Sequence, residues 1–317
     1  MPSKKTIELL EAAAADQNML SEEPMSQWKL TARRFRGRTS GMVGLVVVVT
    51  LVLIAIFAPL IAPYDPNEVL IGKEDVGPRE KPCVHALGCD SEQPQHNLGT
   101  DANVRDYFSR IVFGARVSLT LGFFTVTLAL LVGSSLGALA GYAGGWFDNI
   151  VMRIMDVILG FPSLLLAIAI VSVLGPGLEN ALIAIAIVSI PAYARVMRSQ
   201  VLAIKESDFV AASRALGASW NQILLRRVVP NALTPLVVLA TLGVATAILE
   251  AAGLSFLGLG AQPPTAEWGT MLSAERNNVF TSPHLVFFPG LAIMITVLGF
   301  NLMGDGLRDA LDPSLNR

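Results

Sequence analysis

"SDFVAASRALGASWNQILLRRVVPN", residues 207 to 231, is a polar and basic stretch set between long apolar runs. Wound as a helix, it brings Phe209, Ala212, Leu216, Trp220 and Ile223 or Leu224 into one apolar stripe, with Asp208, Arg214, Ser219 and Asn221 on the other face. Ser207 or Asp208 is placed to cap its start, and Pro230 to end or kink what precedes it. Gly217 sits mid-stretch, where it weakens a helix by up to about 1 kcal/mol relative to alanine. A glycine is useful there mainly if the helix bends or lets another backbone come close. Ala211, Ala212, Ser213, Ala215 and Ala218 are small. Small residues favour close packing on another protein surface, whereas an interfacial helix with its arginines against anionic headgroups favours bulk.

The flanking runs fix the class. The 317 residues are 53% hydrophobic and 15% charged, far below the roughly 25% charge of a soluble domain. A net charge of -2 leaves no nucleic-acid footprint. A helix needs about 20 apolar residues to cross about 30 Å of hydrocarbon. "MVGLVVVVTLVLIAIFAPLIA" at 42–62 qualifies, and further runs follow at about 117–140, 150–175, 179–197, 232–258 and 284–304. Unpaired backbone groups are too costly in lipid, so each run is expected to be a helix, giving an all-α polytopic protein with six transmembrane helices. The first run starts after about forty polar residues, too late for a cleaved signal peptide. It reads as a retained anchor, and residues 1–41 as a tail with a helix expected in "TIELLEAAAA" (6–15).

Lys29, Arg33, Arg34, Arg36 and Arg38 crowd the start of the first span, while Lys73, Arg79 and Lys81 beyond it are sparser. The positive-inside bias therefore places the N-terminus in the cytoplasm. Six crossings return the C-terminus to the same side. The opening stretch falls there too, with Arg195, Arg198, Lys205, Arg214, Arg226 and Arg227. Residues 63–115 fall outside, and with them Cys83 and Cys89. A local disulfide is expected between these cysteines. Free thiols, or a metal site with His85 and His96, are the alternatives, although the spacing matches no structural zinc pattern.

"DFVAASRALGAS", followed by "RRVVPN", resembles the cytoplasmic signature of ABC importer permeases, a Glu-Ala-Ala triplet, a glycine four residues on and a proline-ended segment. Ala211, Ala212 and Ser213 stand at the triplet, Gly217 and Pro230 at the glycine and proline, so the usual glutamate is replaced by Ala211. The string EAAG at 250–253 lies in the fifth run and is a decoy. "FAPLIAPYDPN", "LGTDANVRDYFSRIVFGARVSL", "LEAAGLSFLGLGAQPPTAEWGTML" and "FFPGLAIMITVLGFNLMGDGLRDALDP" narrow the resemblance to the C-type permeases of dipeptide and oligopeptide importers, from about residue 42 to the end. Val104 departs from the glycine that often precedes Arg-Asp in that family.

The resemblance implies a type I ABC importer permease fold in a bacterial or archaeal cytoplasmic (inner) membrane. The apolar runs and the charge bias divide the chain into a cytoplasmic tail (1–41), a first span (42–62), an external segment (63–115), a five-span core (116–307) and a short cytoplasmic tail (308–317). A coupling helix at about 207–220 carries Asp208, Phe209, Ala211, Ala212, Ser213, Arg214, Ala215, Leu216, Gly217 and Ala218. The implied partners are a paralogous permease subunit, two ATP-binding subunits that hold ATP and Mg2+, an extracytoplasmic substrate-binding protein and the lipid bilayer. Peptides are the implied cargo, with nickel complexes or oligosaccharides as alternatives on the same scaffold.

No glycine-rich phosphate loop ending in Gly-Lys-Ser/Thr is present, so the chain itself is expected neither to bind ATP nor to catalyse a reaction. Asp101, Arg105, Asp106 and Arg110 form either a local ion-pair network or an external docking patch. Arg153 and Asp156, one turn apart, are expected to pair. Glu250, with Ser255 close by, is the candidate for lining the path, where it would meet a peptide's ammonium group; a structural hydrogen bond is the alternative. An ion-coupled carrier or channel is the rival from another class, and Glu250 is its one mid-membrane support. A non-transporting membrane scaffold is a second rival.

Overall fold

The computed structural model describes residues 27–90 and 92–311. The helix expected over 6–15 lies outside them. The described residues form helices and loops with no strand, only two isolated bridges. In chain order the helices are α1 (Gln27–Arg36), α2 (Thr39–Ile56), α3 (Ala58–Ile61), α4 (Tyr107–Ala143), α5 (Gly145–Leu159), α6 (Ser163–Leu174), α7 (Leu178–Lys205), α8 (Asp208–Ala215), α9 (Trp220–Phe256), α10 (Trp268–Glu275) and α11 (His284–Leu311). Five of these, α2, α4, α7, α9 and α11, are long and apolar enough to cross a membrane.

The third expected span, 150–175, is not one helix. Residues 145–174 break at Gly160–Pro162 into α5 and α6, bent by 94°. Pro162 has no N–H to continue the ladder, and its ring drives Phe161 out of helical geometry. The packing of α4 on α7 nevertheless makes this pair cross the bundle. Gly133 of α4 faces Ile190 and Tyr193, Gly137 faces Ala194, and Gly141 faces Arg198 and Val201. Numbering rises together along both helices, so they run parallel. The chain between them must therefore return from one end of the bundle to the other, and α5–α6 makes that passage as a broken span.

Small residues set the other seams. Gly41 and Gly44 of α2 lie against Gly306, Met303 and Gly299 of α11, an antiparallel contact close enough that a Cβ at Gly44 would collide with the Met303 backbone. Gly122 of α4 receives Ile248 and Val244 of α9. The first and last described residues thus lie at the end of the bundle that carries α8. The opposite end carries the 62–106 segment and α10. There the Trp268 indole covers Gly114, and its Nε1 donates to the Ile111 carbonyl at 3.0 Å.

Several boundaries depart from expectation. The first span starts at Thr39 and breaks at Phe57, ahead of Pro59 in α3. A separate helix, α1, occupies part of the expected tail. Helix α4 begins at Tyr107, well before residue 117, because Asp106 caps it by accepting from the Ser109 N–H at 2.7 Å. Helix α11 runs on to Leu311, into the expected C-terminal tail.

Candidate functional site

The opening stretch is two helices joined by a turn. Helix α8 stops at Ala215, and Gly217 takes a left-handed φ of +80°. The Ala218 N–H reaches back to the Ser213 carbonyl at 3.1 Å and the Gly217 N–H to Arg214 at 3.0 Å, which closes the helix end. Gly217 is therefore a terminator and not the mid-helix bend expected. Ser219 and Gln222 form a capping box that starts α9. Ser207 stands at the N-cap of α8, but its hydroxyl donates to the Ile204 carbonyl at 2.6 Å instead of capping. Pro230 neither ends nor sharply kinks α9. A π-helical turn at Leu224–Val228 precedes it and widens the ladder where the proline ring would strike the preceding carbonyl.

Val210 is completely buried and pins α8 to the bundle, and Trp220 packs edge-on against Tyr142 at 4.9 Å. The expected stripe is split: Ile223 and Leu224 are buried, whereas Leu216 is 88% exposed and Phe209 about half exposed. Asp208, Ala211, Ala212, Arg214, Ala215 and Gly217 are exposed around them, while Ser213 and Ala218 are half-buried. Beside this rim lies an open hollow of about 450 Å3 lined by Ser213, Leu216, Ala218, Gln222, Arg226 and Arg227. This surface is apolar at its crest, small-sided and basic at its base, and open among the described residues.

The same end holds two ion pairs between α5 and α7. Arg198 grips Asp148 in a fork, Nε to Oδ1 at 2.5 Å and Nη2 to Oδ2 at 2.6 Å, and Arg195 Nη2 reaches Asp156 Oδ1 at 2.6 Å. The expected Arg153–Asp156 pair does not form; the partner of Asp156 comes from another helix. Lys205 Nζ donates to the Gly141 carbonyl at 3.1 Å, tying α7 to α4.

At the opposite end, Asp101, Asp106 and Arg110 are buried beneath the surface. Arg105 pairs with Asp101 at 2.7 Å, Arg110 Nε lies 3.4 Å from the same carboxylate, and Arg110 also donates to the Pro66 carbonyl at 2.7 Å. These groups clamp the 62–106 segment onto α4 and are not available as an exposed docking patch. The neighbouring His96, offered by the sequence only as an alternative metal ligand, is instead buried between two carboxylates, with Nδ1 2.8 Å from Asp106 and Nε2 3.1 Å from Glu74. Burial disfavours the imidazolium, but the hydrogen bonds and charges of Asp106 and Glu74 outweigh it and raise the His96 pKa. Tyr64, which donates to Glu74 at 2.9 Å, is pushed up to about 12 by burial and by that carboxylate. Cys83 and Cys89 are disulfide-bonded, with Cα atoms 5.4 Å apart. His85 contacts the Gln93 carbonyl instead of joining His96 around a metal.

Within the apolar layer, Glu250 is half-buried and lies beside Ser163 at the start of α6, next to the break in the third span. Ser255 is buried, and its hydroxyl accepts from the Ala261 N–H at 3.3 Å. It braces the turn after α9 and does not face an open path.

Six candidate crossings, one of them broken, with a protruding helix at the end shared by the first and last described residues, make a multi-pass membrane protein. The fold is that of type I ABC importer permeases: a solved structure of the inward-facing MetNI methionine ABC transporter aligns with a TM-score of 0.52 at 21% identity, covering 65% of this chain and 97% of that one. The chain belongs to the family described as binding-protein-dependent transport system inner membrane component, whose model matches residues 133–317. Residues 26–82 match the N-terminal TM domain of oligopeptide transport permease C. The dipeptide transport system permease protein DppC of Alkalihalophilus pseudofirmus is 48% identical over 291 residues, 92% of this chain and 91% of that protein. The glutathione transport system permease protein GsiD of Escherichia coli is 45% identical over 295 residues, 93% of each.

Proposed function

We propose that this chain is one of two paralogous permease subunits of an ATP-driven importer, enclosing a path for dipeptides or oligopeptides that an extracytoplasmic binding protein delivers. ATP and Mg2+ belong to two ATP-binding subunits, and the chain itself catalyses nothing. Relatives named for dipeptide and for glutathione, itself a small peptide, favour this cargo over nickel complexes or oligosaccharides.

The observation that carries the reading is the exposed apolar crest of α8. A protein that leaves Leu216 almost fully exposed on a short, rigidly anchored helix presents it to another surface. Burying Phe209, Leu216 and Trp220 in a partner cleft contributes roughly 1.5 to 3 kcal/mol each. Swinging a two-state transporter from 1:99 to 99:1 takes about 5.5 kcal/mol of differential interaction, so docking strength equal in both states drives nothing. Helix α8 works as a lever, staying docked while the ATP-binding subunits close. Arg226 and Arg227 beneath it favour an acidic cleft wall, and Asp208 and Arg214 supply charge where Ala211 replaces the family glutamate. The α8 end faces the cytoplasm, and with it both termini, because Arg33, Arg34, Arg36, Arg38, Arg226, Arg227 and Arg308 gather there.

Leu216→Glu tests this. The side chain is 88% exposed among the described residues, so insertion and thermal stability are expected to stay as in wild type, while copurification with the ATP-binding subunits falls and ATPase activity uncouples from peptide uptake. Normal assembly and normal uptake in Leu216→Glu overturn the docking assignment.

A further inference from the structure

Helices α2 and α4 leave an open groove of about 310 Å3 between them, near the end of the bundle that carries the 62–106 segment. Buried apolar side chains form its floor, Ala55 from α2 and Leu119 from α4. Its walls are Val52 and Ile56 of α2 and Phe123 and Phe124 of α4, of which Ile56 and both phenylalanines are exposed. Helix α2 is 18 residues long, or about 27 Å at about 1.5 Å per residue. Ile56, its last residue, therefore stands at the edge of a hydrocarbon layer about 30 Å thick.

Arg116 lines the same groove and is exposed. Neither α2 nor α4 contains an acidic residue, and Arg116 makes no ion pair or hydrogen bond with a described residue. A second apolar groove, between Val196, Val238 and Arg308, differs in this respect, because Asp305 stands one turn before its arginine on the same helix. Along α4, Thr120 lies on the same face as Arg116 and about 6 Å deeper, and Phe123 and Phe124 lie about 10 to 12 Å deeper. The Thr120 hydroxyl has no partner among the described residues, whereas Ser135 further along the helix donates to the Leu131 carbonyl at 2.7 Å. From the membrane edge inward, the groove thus offers a cation, then a hydroxyl donor, then aromatic and aliphatic walls. A glycerophospholipid presents matching groups in that order: a phosphate, ester carbonyls and acyl chains.

We propose that the α2–α4 groove binds one anionic phospholipid, with its phosphate on Arg116, an ester carbonyl accepting from Thr120 and an acyl chain lying over Leu119 and Ala55. An anionic headgroup fits better than a zwitterionic one, since no carboxylate lines the groove to receive an ammonium. The planar fork of an arginine pairs with two phosphate oxygens at once. The bound lipid bridges the first span and the core. That it belongs to the outer leaflet follows from the orientation proposed above; the site itself does not depend on it.

The test uses the full complex with its partner subunits, in phosphatidylcholine nanodiscs doped with a phosphatidylglycerol whose acyl chain carries a diazirine. On irradiation, residues 52–56 and 119–124 are expected to be labelled about fivefold more than by the same diazirine chain carried on phosphatidylcholine, the scale of one basic residue facing an anionic lipid. In Arg116→Gln that preference is lost, and in Arg116→Lys most of it remains. Thr120→Val lowers it about threefold, the scale of one hydrogen bond. Labelling at Leu131, exposed further along α4, is the same for both lipids throughout. Unlabelled phosphatidylglycerol competes the wild-type labelling away and unlabelled phosphatidylcholine does not, a comparison that needs no variant to assemble. Equal labelling of the groove by the two lipids in wild type, or a preference unchanged in Arg116→Gln, overturns the site and leaves only ordinary annular lipid. If neither lipid labels the groove, a protein surface covers it and the proposal is overturned as well. Nanodiscs offer the lipid on both faces, so none of these outcomes depends on orientation or on the docking of α8.

Discussion

His96 shows how a single buried residue can make one end of the molecule pH-sensitive. It sits between Asp106, which caps α4, and Glu74, whose other oxygen accepts from Tyr64. Because the folded pKa is raised, its stabilising contribution is fully present below the ordinary histidine value of about 6.5 and is lost as pH rises through the folded value. The melting temperature of the purified protein is expected to fall as pH rises above about 6.5, and His96→Gln is expected to flatten that part of the profile. An unchanged slope in the variant would assign the dependence to other groups. None of this was legible in the sequence, since Glu74, His96 and Asp106 are spread over an external segment with no repeating pattern. Asp101 and Arg110 were singled out from the same segment, but their burial follows from the 62–106 chain folding back over α4, which no local spacing encodes.

At the scale of elements, the apolar runs were readable because lipid demands a helix wherever about 20 such residues occur. The interruptions were harder to read. Pro162 and Pro230 both sit near helices, yet one separates two helices and the other is absorbed by a π turn. Gly217 was placed correctly as a special position and given the wrong job. As a left-handed terminator it tolerates a side chain poorly even though open space surrounds it. Gly217→Val is expected to cost about 1 to 3 kcal/mol of local stability and to unravel the end of α8, so that hydrogen exchange accelerates at the Ala218 amide while the α4–α7 contact stays protected. The partner of Asp156 was misjudged for a related reason: helical spacing offers Arg153, but Arg195 arrives from another helix.

For the whole molecule, the α2–α11 seam decides whether the first span belongs to the bundle. Gly44→Leu forces a side chain into the Met303 backbone, an overpacking worth about 1 to 3 kcal/mol or more. Arg38 Nε lies 3.9 Å from Asp309 Oδ2, so a bismaleimide cross-link between Arg38→Cys and Asp309→Cys is expected to form readily in the parent and poorly in the Gly44→Leu variant; equal yields would show that α2 is held by other contacts. The parallel run of α4 and α7 has a consequence for biogenesis. Neighbouring spans emerging from a ribosome pair most readily as antiparallel hairpins, but the glycine face of α4 at Gly133, Gly137 and Gly141 fits a helix that is made two segments later. Until α7 enters the bilayer, that face is covered only by lipid, so a nascent chain stopped after α6 should be a substrate for membrane proteases, and one stopped after α7 should survive.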